Sequence, residues 1–384
     1  MSAVLDPVRT RRGARAAAGS CDAVSLGEAL TDLAAWTDLC VGAVERSVFS
    51  EPAMAAAAAG TIEPADWTAV RAFGPDRIDA LILVRPARAA PLVGPRVLDA
   101  FHSHYGPRTP PMLRAGVPDA ADRLLDAVAA EGRVLRLENQ ALRSLATTAL
   151  VSAAERRGGG AIVVGAHARA LLDAAGSAER ATGPSLAGRR LRELDRQLRR
   201  LGAVTHRVDV EPGPLGAALE AFIELERMGW KGHRGTSLSD DSRRLSFARR
   251  LMATLAADER ARADRLEVDG RTVAVVLTLF AGDTGFFWKI AHDPTLAHAS
   301  PGVQVARMAT AGLIADPAVR QVDSLAVPGH PLMDRLWSGR IEIGTVFLAL
   351  DADAVPTAQR AGAAHLAHQR LRGYGRRLAA RLIR

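Results

Sequence analysis

Residues 261–291 constrain the fold more tightly than any other part of the chain. A short apolar run at 266–268 ends at Asp269–Gly270, and 272–280 (TVAVVLTLF) follows at once. Asp-Gly between apolar runs signals a hairpin, because a two-residue type I′ turn needs positive φ at both central positions. The glycines at 282 and 285 then turn the chain into 286–291 (FFWKIA). Three consecutive antiparallel strands are therefore predicted, and their apolar face must be covered by other elements. Amphipathic helices are predicted at 215–228, entered through Pro214, at 242–259, capped by Asp240 or Asp241, and at 303–314. Further strands at 204–210, 322–327 and 341–350, with a short helix at 331–337, complete an α/β (α+β) unit.

The first half gives a second, looser unit. Residues 26–46 carry an apolar face at helical spacing (Leu30, Leu33, Trp36, Leu39, Val44), and 78–84 (IDALILV), bounded by Pro75 and Pro86, reads as a buried strand. A Pro- and Gly-rich stretch at 86–118, including 102–111 (HSHYGPRTPP), reads as irregular. Helix 119–130, strand 133–137, helix 141–156 and strand 161–165 follow, with glycines at 158–160 breaking the last helix. A chain of 384 residues exceeds one ordinary core. The expected organisation is a disordered basic N-terminus (1–22), two domains (23–184 and 185–352) and a basic C-terminal helix (353–384). A leucine-faced helix at 186–201 carries six arginines, which suits either a solvated face or phosphate contacts.

Composition excludes several classes. No apolar run reaches the roughly 18 residues of a membrane span, and no apolar segment follows the N-terminal arginines as a secretory signal would require. Two cysteines without zinc-like spacing fit a cytoplasmic protein. No third ligand accompanies His102 and His104, so no metal is expected. The formal net charge of +8 sits at the ends: four arginines precede residue 20, and seven lie within 354–384 without an acid. The body is close to neutral, which argues against nucleic acid as a partner. The tail could meet an anionic membrane surface at its inner face.

Basic chemistry here is almost entirely arginine. Of 50 basic residues only Lys231 and Lys289 are lysines, and each follows one of the five tryptophans, Trp230 and Trp288. Lysine differs from arginine in being a compact charge whose pKa falls when desolvated. Stem-packed surface lysines are the alternative. Strand alternation places Trp288 and Ile290 on one face, Phe287 and Lys289 on the other.

The segments GWKGHRGT (229–236), FFWKIAHD (286–293), SPGVQ (300–304) and DSLAVPGHPLMDRLW (323–337) resemble the GNAT-like acetyltransferase domain of cellulose-biosynthesis-type (CelD-like) proteins, a group related to the Fem-type aminoacyl transferases. The resemblance spans about 185–350, and the first half resembles a degenerate GNAT-like domain. It implies tandem GNAT-like domains, each a mixed, mostly antiparallel sheet flanked by helices. It also implies acyl transfer from acetyl-CoA or another acyl-CoA to an amine or hydroxyl of a saccharide or cell-envelope precursor.

Candidate site residues follow. Ser300 suits a helix N-cap and Pro301 its first position, while Gly302 permits close backbone approach; with Val303 and Gln304 they form an anion site or an ordinary helix start. The resemblance assigns this turn to the diphosphate of acyl-CoA, although the chain has only a reduced version of the family's loop. It places Trp230 and Lys231 beside the acceptor, with Trp288 as a further contact, and Lys289 on the strand beside the thioester. Asp323 or His330 could serve as base, or act as a turn acceptor and a loop residue. Two alternatives stay open: an aminoacyl-tRNA donor, and a catalytically idle module docked through its tail to anionic lipid or a polysaccharide synthase.

Overall fold

The computed structural model describes residues 19–91, 94–175 and 189–382, without the side chains of 189–191 and 374–382. The first half runs β1 (Cys21–Ser25), α1 (Leu26–Ala29), α2 (Leu33–Gly42), α3 (Pro52–Ala58), β2 (Thr68–Phe73), β3 (Ile78–Arg88), β4 (Arg96–Ala100), β5 (Met112–Leu113), α4 (Ala120–Glu131), β6 (Val134–Ala141), α5 (Leu145–Arg156) and β7 (Gly160–Asp173). The second runs α6 (Arg189–Arg199), β8 (Val204–Asp209), α7 (Pro212–Met228), α8 (Trp230–His233), α9 (Ser242–Ala257), β9 (Ala261–Val268), β10 (Arg271–Ala281), β11 (Thr284–His292), α10 (Pro301–Ala315), β12 (Gln321–Asp323), α11 (Met333–Leu336), β13 (Gly339–Ala349) and α12 (Val355–Leu382).

The predicted hairpin forms between β9 and β10, with Asp269 and Gly270 both at positive φ. The two halves do not keep separate sheets, however. Among the described residues the strands form one sheet in the order β1-β2-β3-β4-β6-β13-β7-β12-β11-β10-β9-β8, with β5 on β3. The last strand of each half crosses into the other: β13 lies between β6 and β7, and β7 lies between β13 and β12. Antiparallel pairing dominates, and the parallel contacts are β4 with β6 and β11 with β12. One core cluster joins the halves, with Trp36 and Phe49 packed together with Phe222, Phe247 and Phe286. On the opposite face α4 and α5 cover the first half and α10 the second.

Several boundaries differ from expectation. Residues 1–18 and the 184/185 boundary lie outside the described residues, but Cys21 and Asp22 belong to β1, where Asp22 pairs with Arg71. The single helix expected at 26–46 is two, separated at Asp32, whose side chain caps α2. β3 continues through Pro86, because β2 stops opposite Val84 and Pro86 pairs with β4 alone. Strand 161–165 extends to Asp173, since two neighbours pair with it. The tail is helical, its start packed on β7 and β13, with His365 buried against Phe347. No helix among the described residues is long and apolar enough to cross a membrane.

Candidate active site

The centre of the candidate site is an irregularity in β11. Pairing with β10 slips between Leu277 and Thr278, so that Lys289 faces Leu277, Phe287 faces Thr278, and Trp288 is the extra residue. Such a bulge rotates the strand and leaves its extra residue out of the ladder. Trp288 and Lys289 consequently lie on the same face, toward α7, while Phe287 and Ile290 pack on the α10 side. Simple alternation predicted opposite faces, and the bulge is the physical reason for the difference.

Glu226 is what the two lysines share. It sits near the end of α7 among apolar neighbours and is buried. Its Oε1 accepts from Lys231 Nζ at 2.6 Å and lies 3.9 Å from Lys289 Nζ; its Oε2 accepts from the Leu238 backbone N–H at 2.8 Å. Lys231 is partly open to solvent, whereas 11% of the Lys289 side chain is exposed. Burial, and then the neighbouring Lys231 charge, bring the Lys289 ammonium down to about 8, with Glu226 opposing the shift.

The first half supplies the lid of this site. The loop after β4, read from sequence as irregular, lays Tyr105 against β11: its carbonyl accepts from Trp288 Nε1 at 2.7 Å, and its ring lies 4.6 Å from Lys289 Nζ. Tyr105 also packs on Phe247 of α9. His104 stacks edgewise on Tyr105, and surrounding protein followed by the charges of Lys289 and Lys231 holds its imidazole below the usual range. Sequence reasoning missed Glu226 and Tyr105, and weighed His104 only as a metal ligand. The signal for Glu226 was a carboxylate on the apolar side of α7, close to Phe222 and Ile223. Trp230 is 62% exposed, with Arg234 and Lys231 against its ring, and remains available to a ligand.

Along β11, β12 pairs with Thr284–Phe286 alone, so among the described residues the edge of β11 opposite β10 has no strand beside it from Phe287 onward. The chain leaves β12 through a strained turn. Asp323 Oδ1 accepts from Leu325 N at 3.0 Å, and Leu325 has φ of 51°, an uncommon value for a branched side chain.

Asp323 itself is fully buried. Its Oδ2 accepts from Arg169 Nη2 at 2.7 Å and Arg108 Nη1 at 3.1 Å, and Arg108 also reaches Glu45 at 2.7 Å. Burial opposes ionisation, but the two arginines outweigh it and hold the carboxyl below its ordinary range. A carboxylate so occupied is a poor proton acceptor; it ties the halves together instead. His330 also differs from a base. Its Nδ1 accepts from Met333 N at 3.2 Å, which places the proton of the neutral ring on Nε2, and burial lowers the ring's pKa.

The turn at 300–304 does not form an open diphosphate cradle. Ser300 is left-handed and makes no side-chain cap, and its carbonyl takes the N–H groups of both Val303 and Gln304. Pro301 has no N–H, so Gly302 alone could offer an amide in the first turn, and it is buried. A Cβ on Gly302 would meet His292 Nδ1 at 3.0 Å, so the close approach made here is to a side chain. Gln304 turns inward and donates to the carbonyls of Leu194 and Ala299, tying α6 to α10.

Residues 187–330 match the family model of the acetyltransferase (GNAT) domain. No curated protein matches the chain. Among solved structures, FemX is similar with a TM-score of 0.54 and 10% identity, over 87% of this chain and 98% of that one. A conserved protein of unknown function from Bacteroides thetaiotaomicron is similar with a TM-score of 0.53 and 11% identity, over 82% and 97%. These likenesses span both halves and establish the fold.

Proposed function

From the match of residues 187–330 to the acetyltransferase (GNAT) domain, we propose an acyl-CoA-dependent acyltransferase acting on an amine or hydroxyl of a saccharide or cell-envelope precursor. The observation that carries this reading is Lys289: an amine brought down to about 8, beside the edge of β11 that β12 leaves uncovered, at a bulge that takes Trp288 out of the ladder. A general base works best when its pKa lies near the operating pH. The donor supplies an activated thioester carbonyl. Neutral Lys289 Nζ accepts the proton of the acceptor's N–H or O–H as that atom attacks, and amides of the bulge receive the developing oxyanion. When the C–S bond breaks, the Lys289 ammonium returns its proton to the departing sulfur. Trp230 and Lys231 hold the acceptor, the former by its exposed ring and the latter by charge. Because the 300–304 turn is closed, the donor's diphosphate must be held by other groups.

Calorimetry with acetyl-CoA, followed by thiol release with amino- and hydroxy-sugar acceptors, tests the reading. Saturable binding and acceptor-dependent thiol release support it; no binding of any acyl-CoA overturns it. In that case aminoacyl-tRNA, the donor of the alternative, is the next substrate to try, and an idle module would use neither. We further propose that the tail docks on an anionic membrane surface or a polysaccharide synthase, with the exposed Arg370 and Arg372 as contacts.

A further inference from the structure

A cavity of about 900 Å³ opens at the seam between the halves, away from Lys289. It borders the start of β11 at Thr284, five residues and ~16 Å along the strand from the lysine. Its walls are the end of β6, the N-terminus of α5, the start of β13 and the turn between β10 and β11. The volume is that of a small-molecule site.

The wall charge is cationic and only partly neutralised. Arg46 donates to the Val41 carbonyl, and Arg340 to the carbonyls of Trp337, Gly339 and Asp334, partners that orient a guanidinium without cancelling its charge. The Arg320 side chain is exposed and has no hydrogen bond or ion pair among the described residues. Gly282 makes room for Arg46: at φ of 59°, a Cβ there would stand 2.5 Å from Arg46 Nη1. The 12-residue helix α5 brings its N-terminal end to the wall at Ser144 and Leu145.

A second observation is independent of this charge. The Glu45 and Arg108 side chains line the cavity and are 9% and 6% exposed. Glu45 Oε1 takes Arg108, but Glu45 Oε2 and Arg108 Nε are buried without a hydrogen-bond partner. Neither atom is open to the cavity in this structure, so a ligand's donor reaches Glu45 Oε2 only once the carboxylate turns toward the cavity. That turn relieves the cost of a buried unpaired oxygen. The required ligand is thus an anion that also carries hydrogen-bond donors.

We propose that this cavity binds a phosphorylated polyol, separate from the acyl-transfer centre. Its phosphate lies among Arg46, Arg320 and Arg340, and a hydroxyl donates to Glu45 Oε2 as the carboxylate turns toward the cavity. A sugar phosphate and a nucleotide share this chemistry, and the probes distinguish them.

The test is calorimetry on the full chain with ribose 5-phosphate, adenosine 5′-monophosphate, inorganic pyrophosphate and ribose. Ribose 5-phosphate binds, ribose does not, and adding adenine changes the affinity only if the site takes nucleotides. Arg320→Ala, on the surface, weakens both phosphate esters and pyrophosphate about tenfold, the loss of one charge-assisted contact. Glu45→Gln weakens ribose 5-phosphate several-fold and spares pyrophosphate. Lys289→Arg leaves all of these unchanged, so the result stands apart from the fate of the acyltransferase reading. No binding of any phosphate, equal binding of ribose, or binding unaffected by Arg320→Ala overturns the proposal. Should Glu45→Gln fail to fold, Arg320→Ala still decides.

Discussion

Lys231 and Lys289 meet at one oxygen: Glu226 Oε1 is 2.6 Å from the first ammonium and 3.9 Å from the second. Two cations share a single carboxylate, and the more buried of them is also the farther from it. Lys289 therefore carries the cost of desolvation with incomplete compensation, which is why its proton is loosely held.

The pH dependence of transfer follows from this. Below about 8 Lys289 is charged and cannot accept a proton; above it the amine is free. On this account kcat/KM rises with pH and levels off above about 8. A profile that falls through that region indicates that the charged form acts instead.

The neighbours shift that limb in opposite directions. Glu226→Gln removes the attraction that favours the ammonium, so the midpoint moves to lower pH. Lys231→Ala removes a repelling charge and frees Glu226 for Lys289, so the midpoint moves higher. Each move is expected to be on the order of half to one pH unit. pH–rate profiles of both variants measure it, and equal shifts in one direction contradict the shared-carboxylate arrangement.

Asp323 is expected to govern stability. Its variant Asp323→Asn leaves Arg108 and Arg169 buried with a weaker partner, and breaking such a pair costs about 3–5 kcal/mol. Urea denaturation at pH 7 measures the loss. Because the folded carboxyl titrates below its unfolded value, this stabilisation is complete above the unfolded pKa and disappears as pH falls through the folded one. Wild type and variant therefore converge in acid.

Gln304 offers a contrasting case. It holds two backbone carbonyls in a buried position, so Gln304→Ala costs stability, about 1–3 kcal/mol, by leaving them unpaired. Acetyl-CoA affinity at temperatures below unfolding is unchanged. A specific loss of affinity without a loss of Tm returns the turn to the donor site.

Much of the second half was legible because its signals are local. Asp269–Gly270 makes a hairpin whatever surrounds it, and the helices before and after show their apolar faces in the sequence. The exchange of β7 and β13 is different, since a strand's residues do not state which neighbour it pairs with. β7 was read short for a related reason: Gly165, His167 and Arg169 interrupt its apolar pattern, and Arg169 is buried only because Asp323 of the other half meets it. Within the site, spacing identified both lysines but not their common face, because that depends on a one-residue slip at Trp288. The loop carrying Tyr105 looked like a connector, and only the closure of the two halves makes it a lid.

The central claim is that Lys289 acts as a neutral amine, and the transfer rate of Lys289→Arg tests it most directly. Arginine retains the positive charge and much of the stem, but it does not give up its proton. With folding checked by Tm and acyl-CoA binding retained, acyl transfer is predicted to fall about a hundredfold or more, the contribution of a positioned base. A variant that transfers acyl groups at the wild-type rate would contradict the account and leave the lysine pair a matter of packing.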